Sequence, residues 1–157
     1  MPSRHSSTCL LALALAVLSC TVQAKREEAA RLDLPANATP SHLAEQREQI
    51  EVAIKDADSY GELRASDRKQ MRASLDRIAG QIEAAGSLAA LADSDRKTLL
   101  DQQDEVNSVL DTAYVDSRVV CKREKEIGSN FRRSVCMSVA QRRRMSEQAQ
   151  QFGAPQS

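Results

Sequence analysis

Cys121 and Cys136, 15 positions apart in a stretch crowded with lysine and arginine, are the residues whose type and spacing say most about chemistry. Redox enzymes usually place two cysteines with two residues between them, and a zinc site needs further thiolate or imidazole ligands. His42 is the one histidine beyond the first two dozen residues, so no second imidazole is at hand for a metal or for a nucleophile–base pair. The pair therefore reads as a structural disulfide. Closing a loop of about 15 residues stabilises a fold by roughly 3 kcal/mol in the chain-entropy model.

Other catalytic patterns are missing. A Ser-His-Asp order lacks its histidine, and five glycines in the chain are too few and too scattered for a phosphate-cradling loop. Carboxylates are plentiful, but nothing in their spacing singles out two of them as an acid and a base. The expectation is a protein that is not an enzyme and carries neither metal nor cofactor.

The chain opens with a basic Met1 to His5, an apolar run from Cys9 to Leu18, and Val22-Gln23-Ala24, which has small residues at the two positions read by a signal peptidase. The run falls short of the roughly 20 apolar residues that span a bilayer, and nothing later in the chain could serve as a membrane span. Residues 1–24 thus read as a signal peptide, and the mature protein as periplasmic or secreted. The alternative is a lipid anchor on Cys20, read from Val17-Leu18-Ser19-Cys20 as a lipoprotein site. Cleavage after Ala24 leaves Cys121 and Cys136 as the remaining thiols, delivered to an oxidising compartment.

The formal net charge of zero conceals a division along the chain. From Lys25 to Ser117 there are 12 basic and 19 acidic residues, net −7; from Arg118 to Arg144 there are 9 and 2, net +7. Lys122, Arg123, Arg132, Arg133, Arg142, Arg143 and Arg144 are the candidate anion contacts. Such a region either meets an anionic partner or docks on the chain's own acidic helices. The candidate partners are an envelope protein or an anionic surface of lipid or polymer. Nucleic acid ranks last, because Phe131 is the one evident aromatic for base stacking.

Elements must position these groups with few aromatics: the chain has no Trp, two Phe and two Tyr, so its core is aliphatic and thin. Residues 25–40, with Pro35 and Pro40, read as a flexible lead-in. A helical domain follows over 41–115. Leu43, Ile50, Ile54 and Ala57 share one face, with Tyr60-Gly61 as the stop. Met71, Leu75, Ile78, Ile82 and Ala85 form a second stripe that ends at Gly86-Ser87.

A third helix repeats the second at an offset of 28: Leu63, Ser66-Asp67-Arg68-Lys69 and Met71 correspond to Leu91, Ser94-Asp95-Arg96-Lys97 and Leu99, and the stripe runs on through Val106, Leu110 and Ala113. Ser or Asp at the repeated sites is expected to cap the helix start. Two near-copies suggest helices packed antiparallel, and the stripe could instead serve a homodimer.

Residues 116–137 read as a β-hairpin. Arg118 to Glu124, β-prone at its start, and Phe131 to Met137 are the strands, and Ile127 to Asn130 the loop. Folding about Gly128-Ser129 sets Cys121 opposite Cys136, Glu124 opposite Arg133 and Glu126 opposite Phe131, with the cysteines at a non-hydrogen-bonded rung. A basic helix over 138–152 ends at Gly153 and Pro155. The expected fold is mainly α: an antiparallel helical hairpin or small three-helix bundle, then a disulfide-pinned hairpin and a C-terminal helix.

The segments Asp101 to Asn107, Asp116 to Glu124, Gly128-Ser129 and Val135 to Ala140 resemble a group of uncharacterised secreted proteins of Xanthomonas-like bacteria. The resemblance spans roughly Tyr60 to Arg144. It implies export and paired cysteines, and no activity.

Overall fold

Pro40 opens the first helix, α1 (Pro40–Ala53), where its fixed φ suits the first turn and its missing amide is no loss. Thr39 caps it by accepting from the His42 amide. The computed structural model describes residues 29–125, 128 and 130–153; the expected signal peptide and the Cys20 anchor lie outside them. α1 stops short of Tyr60, because Asp56 starts a separate turn, α2 (Ala57–Tyr60), by accepting from the Asp58 amide and the Ser59 hydroxyl. Ala57 is consequently exposed rather than part of the buried face.

Two long helices follow, α3 (Ala65–Ala85) and α4 (Asp93–Ser117), separated by a 3₁₀ turn at Leu88–Ala90. Their first residues are 28 positions apart, as the repeat requires. The caps differ from expectation: Arg64 and Ala92 stand at the N-cap positions and neither supplies a side-chain cap. Ser66 and Ser94 lie inside the first turn and donate to Asp67 and Asp95. Asp67, Asp93 and Asp95 place negative charge at the positive helix ends, and Arg64 and Arg96 pair with Asp67 and Asp93. At the far end of α3, Gly86 takes φ 79°, a left-handed cap that a side chain would strain.

Gln70 of α3 bonds Glu105 of α4, each about equally far from the connecting turn, so the two helices run antiparallel. Arg47–Asp76 and Glu51–Arg72 set α1 antiparallel to α3 in the same way. The core sits between these three helices. Ile78, Ile82, Leu99, Val106 and Leu110 have 0% of their surface exposed, and full burial of such a side chain contributes about 1.5–3 kcal/mol. The repeated stripe is thus packed inside one chain. Met71, Ile78, Ile82 and Ala85 match Leu99, Val106, Leu110 and Ala113 at the same offset of 28.

Leu75 and Ala79 break that match. Their counterparts, Gln103 and Asn107, carry the N-terminal segment. The Leu32 amide donates to Asn107 Oδ1 at 2.7 Å, and Asn107 Nδ2 donates back to the Leu32 carbonyl at 3.0 Å. Leu34 donates to Gln103 Oε1 at 3.0 Å, Ala30 to the Tyr60 hydroxyl at 2.6 Å, and Asp33 to Gln46 Oε1 at 3.3 Å. Leu32 and Leu34 are buried while Arg31 and Asp33 face out.

The lead-in expected to be flexible is therefore corrected from residue 29 onward. It is a strap lying on α1 and α4, held because carboxamides satisfy its backbone while alternate leucines enter the core.

After α4 come β1 (Val119–Lys125) and β2 (Arg132–Ser138), an antiparallel pair, and then α5 (Val139–Gly153). Val119 pairs with Ser138 at the base and Lys125 with Arg132 at the tip. Cys121 faces Cys136 and Glu124 faces Arg133, in the expected register. Gly128 in the connection takes φ 84°; Glu126 of the expected Glu126–Phe131 rung, and Ile127 and Ser129 of the expected loop, lie outside the described residues.

Candidate functional site: a cationic hairpin clasped to an acidic body

Cys121 and Cys136 are disulfide-bonded with their Cα atoms 3.9 Å apart, the closer approach expected of a non-hydrogen-bonded rung. The bond is two rungs above the hairpin base, and both cysteines are exposed. Alternation along the strands divides the hairpin into two faces. Val120, Val135 and Met137, the half-buried positions, lie on one face together with Lys122, Glu124 and Arg133. α5 leans on this face: Arg142 donates to the Val120 carbonyl at 3.3 Å and sits 3.6 Å from Glu124.

The opposite face carries Arg123, Lys125 and Arg132 beyond the disulfide, with Ser134 across from Arg123. All three cations are exposed, and none of them makes an ion pair among the described residues. Lys125 and Arg132 are direct cross-strand partners, a like-charge rung that weakens a sheet. Phe131, next to that rung, is 86% exposed.

The base of the hairpin is built differently. Ser138 Oγ accepts from the Gln141 amide at 3.0 Å while Gln141 Oε1 accepts from the Ser138 amide at 3.1 Å, a complete capping box at the start of α5. Ser138 Oγ also donates to Glu62 Oε1 at 2.5 Å. Glu62 further receives both terminal nitrogens of Arg144, at 2.9 and 3.3 Å, and its amide donates to Ser117 Oγ at 2.9 Å. Arg143 grips Asp116 with two bonds of 2.9 and 2.7 Å. The Arg144 bonds, followed by the Ser138 bond, hold the Glu62 carboxyl below its ordinary pKa.

The seven candidate anion contacts therefore separate into two sets. Arg142, Arg143 and Arg144, expected as contacts for an external anion, pair here with the chain's own Glu124, Asp116 and Glu62. The basic region does dock on the acidic helices, but only through α5. Lys122, Arg123, Arg132 and Arg133 remain exposed on the hairpin, joined by Lys125.

Glu62 and Asp116 could not be picked out from a uniform supply of carboxylates. Ser138-Val139-Ala140-Gln141, by contrast, carries the capping-box spacing in plain view.

Among the described residues, no group of three or more His, Cys, Asp or Glu side chains is placed to hold a metal ion, and no helix is long and apolar enough to cross a membrane. Surface depressions flank α3 and the α4–α5 junction, lined mostly by charged side chains. Comparison of the chain with family models, with curated proteins and with solved structures finds no match.

Proposed function

We propose that this is an exported, non-catalytic binding module of the cell envelope, in which the helical body holds out the disulfide-pinned hairpin as its recognition element. One observation carries the reading. Most hairpin residues are exposed and, beyond the base, one whole face is open to solvent, yet the two strands are locked together by a disulfide and their base is fixed to the body through a capping box and two bidentate ion pairs. An element that buries little contributes little to the core, and so much fixation of one suggests a surface used for contact. The exposed apolar side chains agree. Val115, Val119, Phe131, Met145 and Phe152 make up five of the seven exposed large hydrophobics among the described residues, so the C-terminal third is where apolar contact area is on offer. The disulfide also supports export, since such bonds persist in oxidising compartments.

Affinity capture of tagged protein from native envelopes after reversible crosslinking tests this. Wild type is compared with a hairpin variant carrying Lys122→Glu, Arg123→Glu, Arg132→Glu and Arg133→Glu. The expected result is a component retained by wild type and lost from the variant, with both proteins equally helical by circular dichroism. Equal retention by both would remove the hairpin from the function.

A further inference from the structure

Resting on the binding-module reading, we infer that the hairpin tip docks on an anionic lipid surface, with phosphate headgroups taken by Arg123, Lys125 and Arg132 and the Phe131 ring seated at the headgroup level. The hairpin from Val119 to Ser138 carries five basic residues, Lys122, Arg123, Lys125, Arg132 and Arg133, against Glu124 and Glu126. Glu124 is on the α5 side, within reach of Arg142. The charge left facing solvent is positive and concentrated on the Arg123 face.

The Lys125–Arg132 rung is the informative detail. Like charges placed directly across two strands oppose the pairing that brings them together. Lysines that merely guard a sheet edge have no need to be opposed in this way. An anion bridging the rung removes the repulsion. Lying along the strand from Lys125 on the same face, Arg123 is about 7 Å further from the tip, so the three cations span more than one headgroup.

Size and shape favour a lipid surface over a folded protein. A stable protein partner needs roughly 800 Å² from each side, and the tip beyond the disulfide offers only four two-residue rungs among the described residues. A membrane surface asks for less. Basic residues near anionic headgroups each strengthen attachment, and an aromatic ring at the interface adds a shallow anchor. Phe131 is placed to be that anchor, 86% exposed and adjacent in sequence to Arg132.

The chain contains no tryptophan, so Phe131→Trp creates a single fluorescent probe at the tip and Val52→Trp, on α1, a control at another exposed site. Phosphatidylglycerol-containing vesicles at low salt should shift the Phe131→Trp emission to the blue, and brominated acyl chains should quench it. The Val52→Trp protein and vesicles of phosphatidylcholine alone should show neither effect. Wild-type protein should co-sediment with the anionic vesicles, and the double variant Lys125→Gln, Arg132→Gln should bind about 30-fold more weakly.

Absence of wild-type co-sedimentation would overturn the inference, as would a tip probe that stays unquenched by brominated lipid. Binding of soluble polyphosphate without lipid quenching would show phosphate recognition divorced from a membrane, and would overturn the lipid surface as its source. A protein captured through the hairpin in the absence of vesicle binding would likewise overturn it while leaving the binding module standing.

Discussion

Asn107 holds Leu32 by both of that residue's backbone groups, accepting from its amide and donating to its carbonyl. A side-chain carboxamide thereby takes the place of a neighbouring strand. In the matching position of α3 stands Ala79, packed against the core. The two related helices thus differ where one of them must receive the strap.

Replacing Asn107 with Ala leaves the Leu32 amide and carbonyl buried and unpaired. We expect a loss of about 2–4 kcal/mol, read as a lower urea midpoint for the far-ultraviolet signal. Gln103→Ala, which strands the Leu34 amide alone, should cost less, about 1–2 kcal/mol. If Asn107→Ala is as stable as wild type, the strap is not part of the cooperative fold.

Leu32→Ala probes the same contact from the other side. Leu32 is 1% exposed, and a leucine truncated in a packed core costs about 2–5 kcal/mol. A change under about 0.5 kcal/mol, the range of ordinary surface substitutions, would show the strap detached in solution.

The disulfide should behave unlike a core staple. Because the strands beyond the base bury little, with Val120, Val135 and Met137 only half-covered, the roughly 3 kcal/mol from loop closure belongs mainly to the hairpin and not to the helices. The double variant Cys121→Ser, Cys136→Ser should lose protection of the β1 and β2 amides against hydrogen exchange while the helical unfolding midpoint moves little. A large fall in that midpoint would show that hairpin and body unfold as one unit. In native wild-type protein, alkylating agent should add no mass until reductant is present.

Acid should open the α5 clasp. Glu62 has a folded-state pKa below its unfolded value of about 4.3, chiefly through Arg144 and then Ser138. Its contribution is complete above that unfolded pKa and disappears as pH falls through the depressed folded value. Amides in the first turns of α5 should therefore exchange faster below about pH 4, relative to those of α3, and Glu62→Gln should show the faster exchange already at pH 7. An unchanged exchange rate in Glu62→Gln would assign the holding of α5 to Asp116–Arg143 and the capping box alone.

How far the sequence could be read follows from the kind of signal each contact leaves. Met71, Ile78 and Ile82, with their partners 28 positions on, repeat at helical spacing and announced both helices. Cys121 and Cys136 lie symmetrically about Gly128-Ser129, which made the register legible as well. The strap was misread because its bonds come from single carboxamides, Gln103, Asn107 and Gln46, which have no period, although the Leu32-Asp33-Leu34 alternation was visible. Charge asymmetry revealed that a basic region could meet acidic helices, but a sum of charges does not name Glu62 and Asp116. Only the three-dimensional arrangement separates Arg143 and Arg144, which are satisfied, from Arg123 and Lys125, which face solvent.

The position of the disulfide also gives the hairpin the mechanics of a short cantilever. From Cys121 to Lys125 the strand advances about 14 Å, and below Cys121 the ladder runs directly into the ends of α4 and α5, where Glu62 and Asp116 are bolted to Arg144 and Arg143. A load applied at the Lys125–Arg132 end is shared between the strands by a covalent crossbar and passes into two helices at once, with Arg142 bracing the beam at Glu124 on one face. Its stiffness is set at the root: loosening the Glu62 or Asp116 attachment would let the whole lever swing, and cutting the crossbar would lengthen the part that bends.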